Sequence, residues 1–183
     1  MLEVLEKPAI RRAVIPIDIQ TYRKMFAGLK TELIQGAVIE KVSKSKLHAG
    51  VLRLLFKYFS SRVNETIEIL KEDPITLIDS EPEPDLAIVP ARHSIHDEHP
   101  TFAYLVVEVS VTTQAIDAEK ADMYARGNIP VYWNILPLEN TTVVYSKPNA
   151  NGYTSEKRIP FSEPLSIALP GHSMEVVLES ILK

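Results

Sequence analysis

Two acidic residues stand where apolar, β-like runs turn polar: Asp85, in Pro84-Asp85, and Glu108, in Glu108-Val109-Ser110. Ile88 and Val89 follow the first, and Tyr104-Leu105-Val106-Val107 leads into the second. A buried strand has little use for a carboxylate, because an unpaired charge is costly to desolvate. Two of them on neighbouring apolar strands are best explained by a cation between them. Two carboxylates sharing a hard cation are the minimum equipment for Mg²⁺-dependent phosphodiester chemistry. The backbone carbonyl of Val109, at the strand end, can add a third oxygen.

Such chemistry also needs a group that orients water and offsets charge on the phosphate, usually a lysine two residues past the glutamate. Ser110 stands at that place and carries no charge; it either hydrogen-bonds a site water or caps the loop. A substitute lies on the next predicted helix, where Asp117, Lys120 and Tyr124 share one face because residues three and four apart are neighbours. Tyr124 reads there as a packing residue.

Positioning these groups falls to elements that periodicity makes visible. Residues 1–16, with Pro8 and Pro16, read as an extended arm, and 17–183 as one domain. Asp18 can cap a helix carrying Ile19, Tyr22, Met25, Phe26 and Leu29 at helical spacing. Residues 31–42 form two short strands hinged at Gly36, and roughly 45–63 an amphipathic helix with Leu47, Val51, Leu54, Leu55, Tyr58 and Phe59. Strands are expected at 67–70, 75–78, 86–89 and 103–109, then a helix at 115–126 closed by Gly127-Asn128, then a strand at 131–136. Shorter strands follow near 141–146, 152–158 and 164–168, and Ser173 is expected to cap a final helix bearing Met174, Val177, Leu178 and Ile181. The order implies an α/β (α+β) fold: a central mixed sheet flanked by helices, preceded by a helix and a β-hairpin. The strand 103–109 is apolar on both faces, as a covered central strand should be.

With 183 residues, 45% apolar and 24% charged, the chain can bury a core without staples. It has no cysteine, which excludes disulfides, zinc–thiolate sites, iron–sulfur clusters and thiol nucleophiles. No apolar run reaches membrane-spanning length and no signal-peptide core opens the chain, so a cytoplasmic protein is the expectation. The net charge of −4 does not advertise a nucleic-acid binder, but the charges are segregated. Lys41 to Asn64 holds Lys41, Lys44, Lys46, Arg53, Lys57 and Arg62 without an acid; Glu72 to Asp85 holds six acids without a base. Either a positive groove for phosphates lies beside an acidic pocket, or two solvated faces carry opposite signs.

Pro84-Asp85, Glu108-Val109-Ser110, Lys120-x3-Tyr124-Ala125 and Gly127-x-Ile-Pro130-x-Tyr132-Trp133 together resemble the Uma-two family, bacterial restriction-endonuclease-like proteins of the PD-(D/E)XK nuclease superfamily. Glu32-Leu-Ile-Gln-Gly36 and His48 match the family's N-terminal half, so the likeness spans about residues 18 to 170. It implies a restriction-endonuclease-like core and a metal site of Asp85 and Glu108, with Glu32 as an added acid and Lys120 as a migrated lysine. It further implies Mg²⁺ or Mn²⁺ as cofactor and DNA as partner. Lys44, Lys46, His48 and Ser110 are candidates for contact with substrate, His48 being equally readable as a plain helix-start residue.

Other features read blandly. His93, His96 and His99 fall in a Pro-bounded loop with no second ligand cluster, so a His-rich loop is the better reading than a metal site. Tyr132-Trp133 belongs to a core strand rather than a base-stacking platform. No Ser-His-Asp order, P-loop or dinucleotide fingerprint is present. Three functions stay open: a metal-dependent endonuclease, a catalytically inactive nucleic-acid- or protein-binding module on the same fold, and a hydrolase of small phosphoesters. Cleavage of both DNA strands would favour a homodimer.

Overall fold

Asp18 starts the first helix, α1 (Ile19–Phe26), by accepting the Thr21 N–H at 2.7 Å. The structure, a computed structural model, describes residues 15–41, 43–111 and 114–183. The arm expected over 1–16 therefore lies outside the described residues apart from Ile15 and Pro16. After α1 come strands β1 (Thr31–Ile34) and β2 (Ala37–Glu40), then α2 (Lys46–Ser60), capped by Ser45. Gln35 and Gly36 both have positive φ, which is what a two-residue hairpin turn with the strands' own twist requires. A side chain at Gly36 would also collide with Pro16, so this glycine is needed for space as well as for φ.

Strands β3 (Ile67–Lys71), β4 (Leu86–Pro90), β5 (Leu105–Val109), β6 (Val131–Leu136), β7 (Thr141–Asn149) and β8 (Gly152–Pro160) form one sheet in chain order. Every neighbouring pair is antiparallel except β5–β6. A parallel pair needs a crossover, and α3 (Gln114–Arg126) supplies it. Strands β9 (Pro164–Leu169) and β10 (His172–Val177) make a separate antiparallel hairpin, and α4 (Leu178–Ile181) ends the described chain.

The sheet is covered on both faces. On one side α2 and the β9–β10 hairpin bury Leu52, Leu55, Phe59, Leu105, Val107, Trp133, Ile167 and Val176. On the other, α3 and the β1–β2 hairpin bury Ile34, Leu70, Ala87, Val106, Met123, Tyr124 and Tyr132. All five residues of β5 are buried, as the doubly apolar run predicts. Tyr132 stacks on Tyr145 and meets Tyr124 at a tilt, Tyr145 in turn meets Tyr153, and Trp133 meets Phe59, so both aromatics are core. No helix among the described residues is long and apolar enough to cross a membrane.

Two local expectations are corrected. Residues 172–177 form strand β10 rather than a helix capped by Ser173, because Met174, Val176 and Leu178 are buried at a period of two. Gly171, at φ +80°, turns that strand back on β9, and only 178–181 are helical. Residues 75–78 form no strand: the N–H groups of Ile75, Thr76 and Leu77 go to Pro82, Pro100 and Ser80, all loop carbonyls, and Ile78 is exposed. Helix α3 closes at Gly127-Asn128 as expected, with Asn128 as its left-handed residue, and a β-carbon on Gly127 would lie 2.8 Å from Leu77 Cδ2.

Candidate active site

Leu86 on β4 pairs with Val107 on antiparallel β5, so the first residue before β4 lies beside the last residues of β5. That register brings Asp85 to Glu108 across 23 positions of sequence. The Val109 N–H donates to Asp85 Oδ2 at 2.7 Å, and the Asp85 N–H approaches Glu108 Oε2 at 3.4 Å. Both carboxylates are buried, at 4% and 5% exposure. A strand residue's N–H and C=O leave on the same side, so the Val109 carbonyl faces the edge that Asp85 occupies.

Helix α3 follows β5 and lies over the same face, which carries Lys120 and Tyr124 onto Glu108. The Lys120 ammonium is 3.0 Å from Glu108 Oε1 and 3.1 Å from Glu32 Oε1. The Tyr124 hydroxyl donates to Glu108 Oε1 at 3.0 Å. Burial, reinforced by the Glu108 charge, pushes the Tyr124 hydroxyl well above its ordinary pKa. Glu32 arrives on β1, whose neighbour Leu33 exchanges backbone hydrogen bonds with Glu81 at 3.3 and 2.7 Å. Its Oε2 accepts the Glu83 N–H at 3.3 Å.

The start of α2 closes the other side of Asp85. Ionised Asp85 can only accept, so His48 Nε2 donates to Oδ2, at 2.8 Å, while His48 Nδ1 is buried with no partner among the described residues. Lys44 donates to Asp85 Oδ1 at 2.6 Å and to Glu72 at 2.5 Å. Burial alone would raise the Asp85 carboxyl; the hydrogen bonds and positive charge of His48 and Lys44 outweigh it and hold the carboxyl down at about 2. Burial likewise pulls the Lys44 ammonium down, but Asp85 and Glu72 prevail and raise it.

A family model described as "Uma2: Putative restriction endonuclease" matches residues 19–177. The chain belongs to the Uma2 family. Its fold is close to a crystal structure from Anabaena variabilis ATCC 29413, described as "a putative nuclease belonging to DUF820". The two share 16% identity and a TM-score of 0.74, over 91% of this chain and 98% of that one. At that identity the likeness speaks to the fold, the expected mixed sheet flanked by helices. No curated protein matches the chain.

In this Uma2 chain the structure brings together Asp85, Glu108, Glu32, Lys120 and the Val109 backbone, with His48 and Lys44 against Asp85. Lys46 stays exposed at the start of α2. Ser110 is buried and donates to Asn134 Oδ1 on β6 at 2.5 Å, which ties β5 to β6. The side chain of Asp117 lies outside those described. His93, His96 and His99 sit in an irregular loop, away from any His/Cys/Asp/Glu metal cluster among the described residues. The first residues of the basic run pair with the acidic run, Lys44 with Glu72 and Asp85, and Lys41 with Glu83, while Lys46, Arg53, Lys57 and Arg62 stay exposed. Sequence reasoning missed Glu72, Asn134 and the contact of Tyr124 with Glu108; the acid run flagged Glu72 only as one of six.

The donor chemistry suits a small divalent cation. Every candidate ligand atom is a hard oxygen, from Glu32, Asp85, Glu108 and the Val109 carbonyl. Among the described residues no three acids or histidines already stand as a ligand set. Ammonium groups stand against the carboxylates instead, Lys120 joining Glu32 to Glu108 and Lys44 joining Glu72 to Asp85.

Proposed function

We propose that this Uma2 chain is a divalent-metal-dependent endonuclease that hydrolyses DNA phosphodiester bonds. One observation carries the reading: acids from three separate elements, Glu32, Asp85 and Glu108, are gathered in a buried cluster, with the Lys120 ammonium between two of them. A structural core gains nothing from such a gathering, since buried ion pairs often do no better than apolar residues of the same volume. The two carboxylates at the strand ends, Glu32 and the Val109 carbonyl would hold Mg²⁺ or Mn²⁺.

In the mechanism, bound metal supplies a Lewis acid toward the phosphate and lowers the pKa of the attacking water. Lys120 donates a hydrogen bond to that water, orienting it toward phosphorus, and its charge offsets the negative charge that grows on the phosphate oxygens. The water oxygen gives up a proton to solvent as it forms the new bond to phosphorus, the ester bond to the leaving sugar oxygen breaks, and that oxygen takes up a proton from solvent. Tyr124 keeps Glu108 Oε1 engaged, so that Oε2 is the oxygen turned toward Asp85. His48 and the Val109 N–H fix the Asp85 carboxylate from Oδ2.

Purified protein with supercoiled plasmid and Mn²⁺ should give nicked circles, and Asp85→Ala should abolish them. Equal nicking by Asp85→Ala would refute the assignment of the site. One observation favours the rival, a binding module without turnover: the place two residues after Glu108 is Ser110, tied to Asn134. Calorimetry with Mn²⁺ separates the two, because the module has no need of metal bound through Asp85 and Glu108. Cleavage of both strands would call for a homodimer, testable by sedimentation.

A further inference from the structure

Lys44 and Glu72 stand outside the acids and the lysine assigned above to hydrolysis, yet they are built into the same site. Glu72 directly follows β3 and has φ +57°, a left-handed conformation that a non-glycine residue holds only when its surroundings impose it. The imposing contact is its own N–H, shared between the carbonyls of Pro84 at 3.2 Å and Asp85 at 3.3 Å. The strained residue is thus clamped to the segment that carries Asp85. From there its carboxylate meets the Lys44 ammonium at 2.5 Å, while the same ammonium meets Asp85 Oδ1 at 2.6 Å.

The two acids differ in exposure. The Asp85 side chain is 6% exposed and that of Glu72 is 37%, with Lys44 between them at 28%. Lys44 therefore bridges a buried acid and an open one. Asp85 Oδ2 is taken by His48 and the Val109 N–H, whereas Oδ1 is bonded, among the described residues, by Lys44 only. A divalent cation on Oδ1 would repel the Lys44 ammonium bonded there, and Glu72 already holds the place to which that ammonium would move.

We infer that Lys44 is an internal counter-ion of the site, displaced from Asp85 onto Glu72 by an arriving divalent cation and left at the mouth of the site to meet a backbone phosphate of the substrate. This inference rests on the reading of Asp85 and Glu108 as metal ligands. It makes Lys44 a gate on metal binding and a phosphate contact, and Glu72 a positioning residue that acts through Lys44.

Calorimetric titration of the intact protein with Mn²⁺ tests it in four forms: wild type, Lys44→Gln, Glu72→Gln and the double variant. Lys44→Gln removes the competitor and should tighten Mn²⁺ binding about tenfold, the lower end of what a neighbour of a metal ligand is worth. Glu72→Gln removes the receiving acid and should weaken it by about the same factor. The double variant should bind like Lys44→Gln alone, because Glu72 has nothing left to act on. Two independent effects that simply add would show an ordinary field of surface charge and overturn the inference, as would unchanged or weaker binding by Lys44→Gln. Glu72→Gln alters a half-open side chain, so it reports even where Lys44→Gln disturbs folding. With Ca²⁺ replacing Mn²⁺ to suppress turnover, Lys44→Gln should reduce the salt dependence of binding to a short duplex by about one phosphate contact. An unchanged slope would overturn the phosphate role. Mn²⁺ binding that is absent from the wild type, or indifferent to Asp85→Ala, would instead remove the underlying metal-site reading, and this inference with it.

Discussion

Lys120→Met keeps the aliphatic stem on α3 and deletes the ammonium that stands 3.0 Å from Glu108 and 3.1 Å from Glu32. Both carboxylates are buried, so neither can turn to bulk water for compensation. Removing one partner of a buried ion pair costs about 3–5 kcal/mol. For a chain of this size each kcal/mol is worth about 2–4 °C, so the melting midpoint should fall by about 6–20 °C. Two controls give the loss its electrostatic signature. The deficit should be smaller at pH 5 than at pH 8, because a carboxylate stripped of its counter-ion takes up a proton more readily. Mn²⁺ should also stabilise the variant more than the wild type, with about 2.7 kcal/mol available at a hundredfold excess over the dissociation constant. Scanning calorimetry at the two pH values, with and without Mn²⁺, reads all of this. A fall in midpoint below about 3 °C, the equivalent of roughly 1 kcal/mol, would refute the idea that this ammonium holds the acid cluster together. So would equal stabilisation of both proteins by the metal.

Asp85 has a folded-state pKa of about 2, below its unfolded value, so its contribution to stability is complete above about pH 4 and is lost as the pH falls toward 2. Acid unfolding followed by circular dichroism should therefore be less steep over that interval in Asp85→Asn, by about 2 kcal/mol across it. Tyr124→Phe deletes the hydroxyl donated to Glu108 and should lower stability in urea by about 1.5–3 kcal/mol, the range for a hydrogen bond to a charged group. Gly127→Ala places a β-carbon 2.8 Å from Leu77 Cδ2, the tip of a side chain that can turn aside, and should move the melting midpoint by less than about 3 °C, because that contact and alanine's better helix propensity oppose each other.

How much of this was legible in the sequence depends on how local the determining physics is. The doubly apolar run 103–109 sits in the middle of the sheet, and Asp18, Gly36 and Ser45 end or turn elements much as their types dictate. Asp85 and Glu108 were visible because a charge at the end of an apolar run is conspicuous. Around Ser173, local rules competed: Met174, Val177, Leu178 and Ile181 fit a helical face, while Met174, Val176 and Leu178 fit a strand. The turn at Gly171 and the partner strand β9 decided between them, and neither belongs to the window being read. The cross-pairing of the two charge runs was illegible for the same reason. Lys44 meets Asp85 over 41 positions, and Glu72 gains its place from a backbone strain that no residue type announces.

The hairpin that carries Glu32 has a mechanical consequence. It pairs with itself rather than with the six-stranded sheet, and its backbone is moored through Leu33–Glu81, Gly36–Asp79 and Gly36–Ile17. One acid of the cluster thus rides on a detachable flap, while the other two are fixed to the sheet. Such a unit can open on its own, ahead of the global transition. Amide exchange in β1 and β2 should then outpace that in β4 and β5, and each opening would carry Glu32 away and leave Lys120 held by Glu108 while the rest of the chain stays folded.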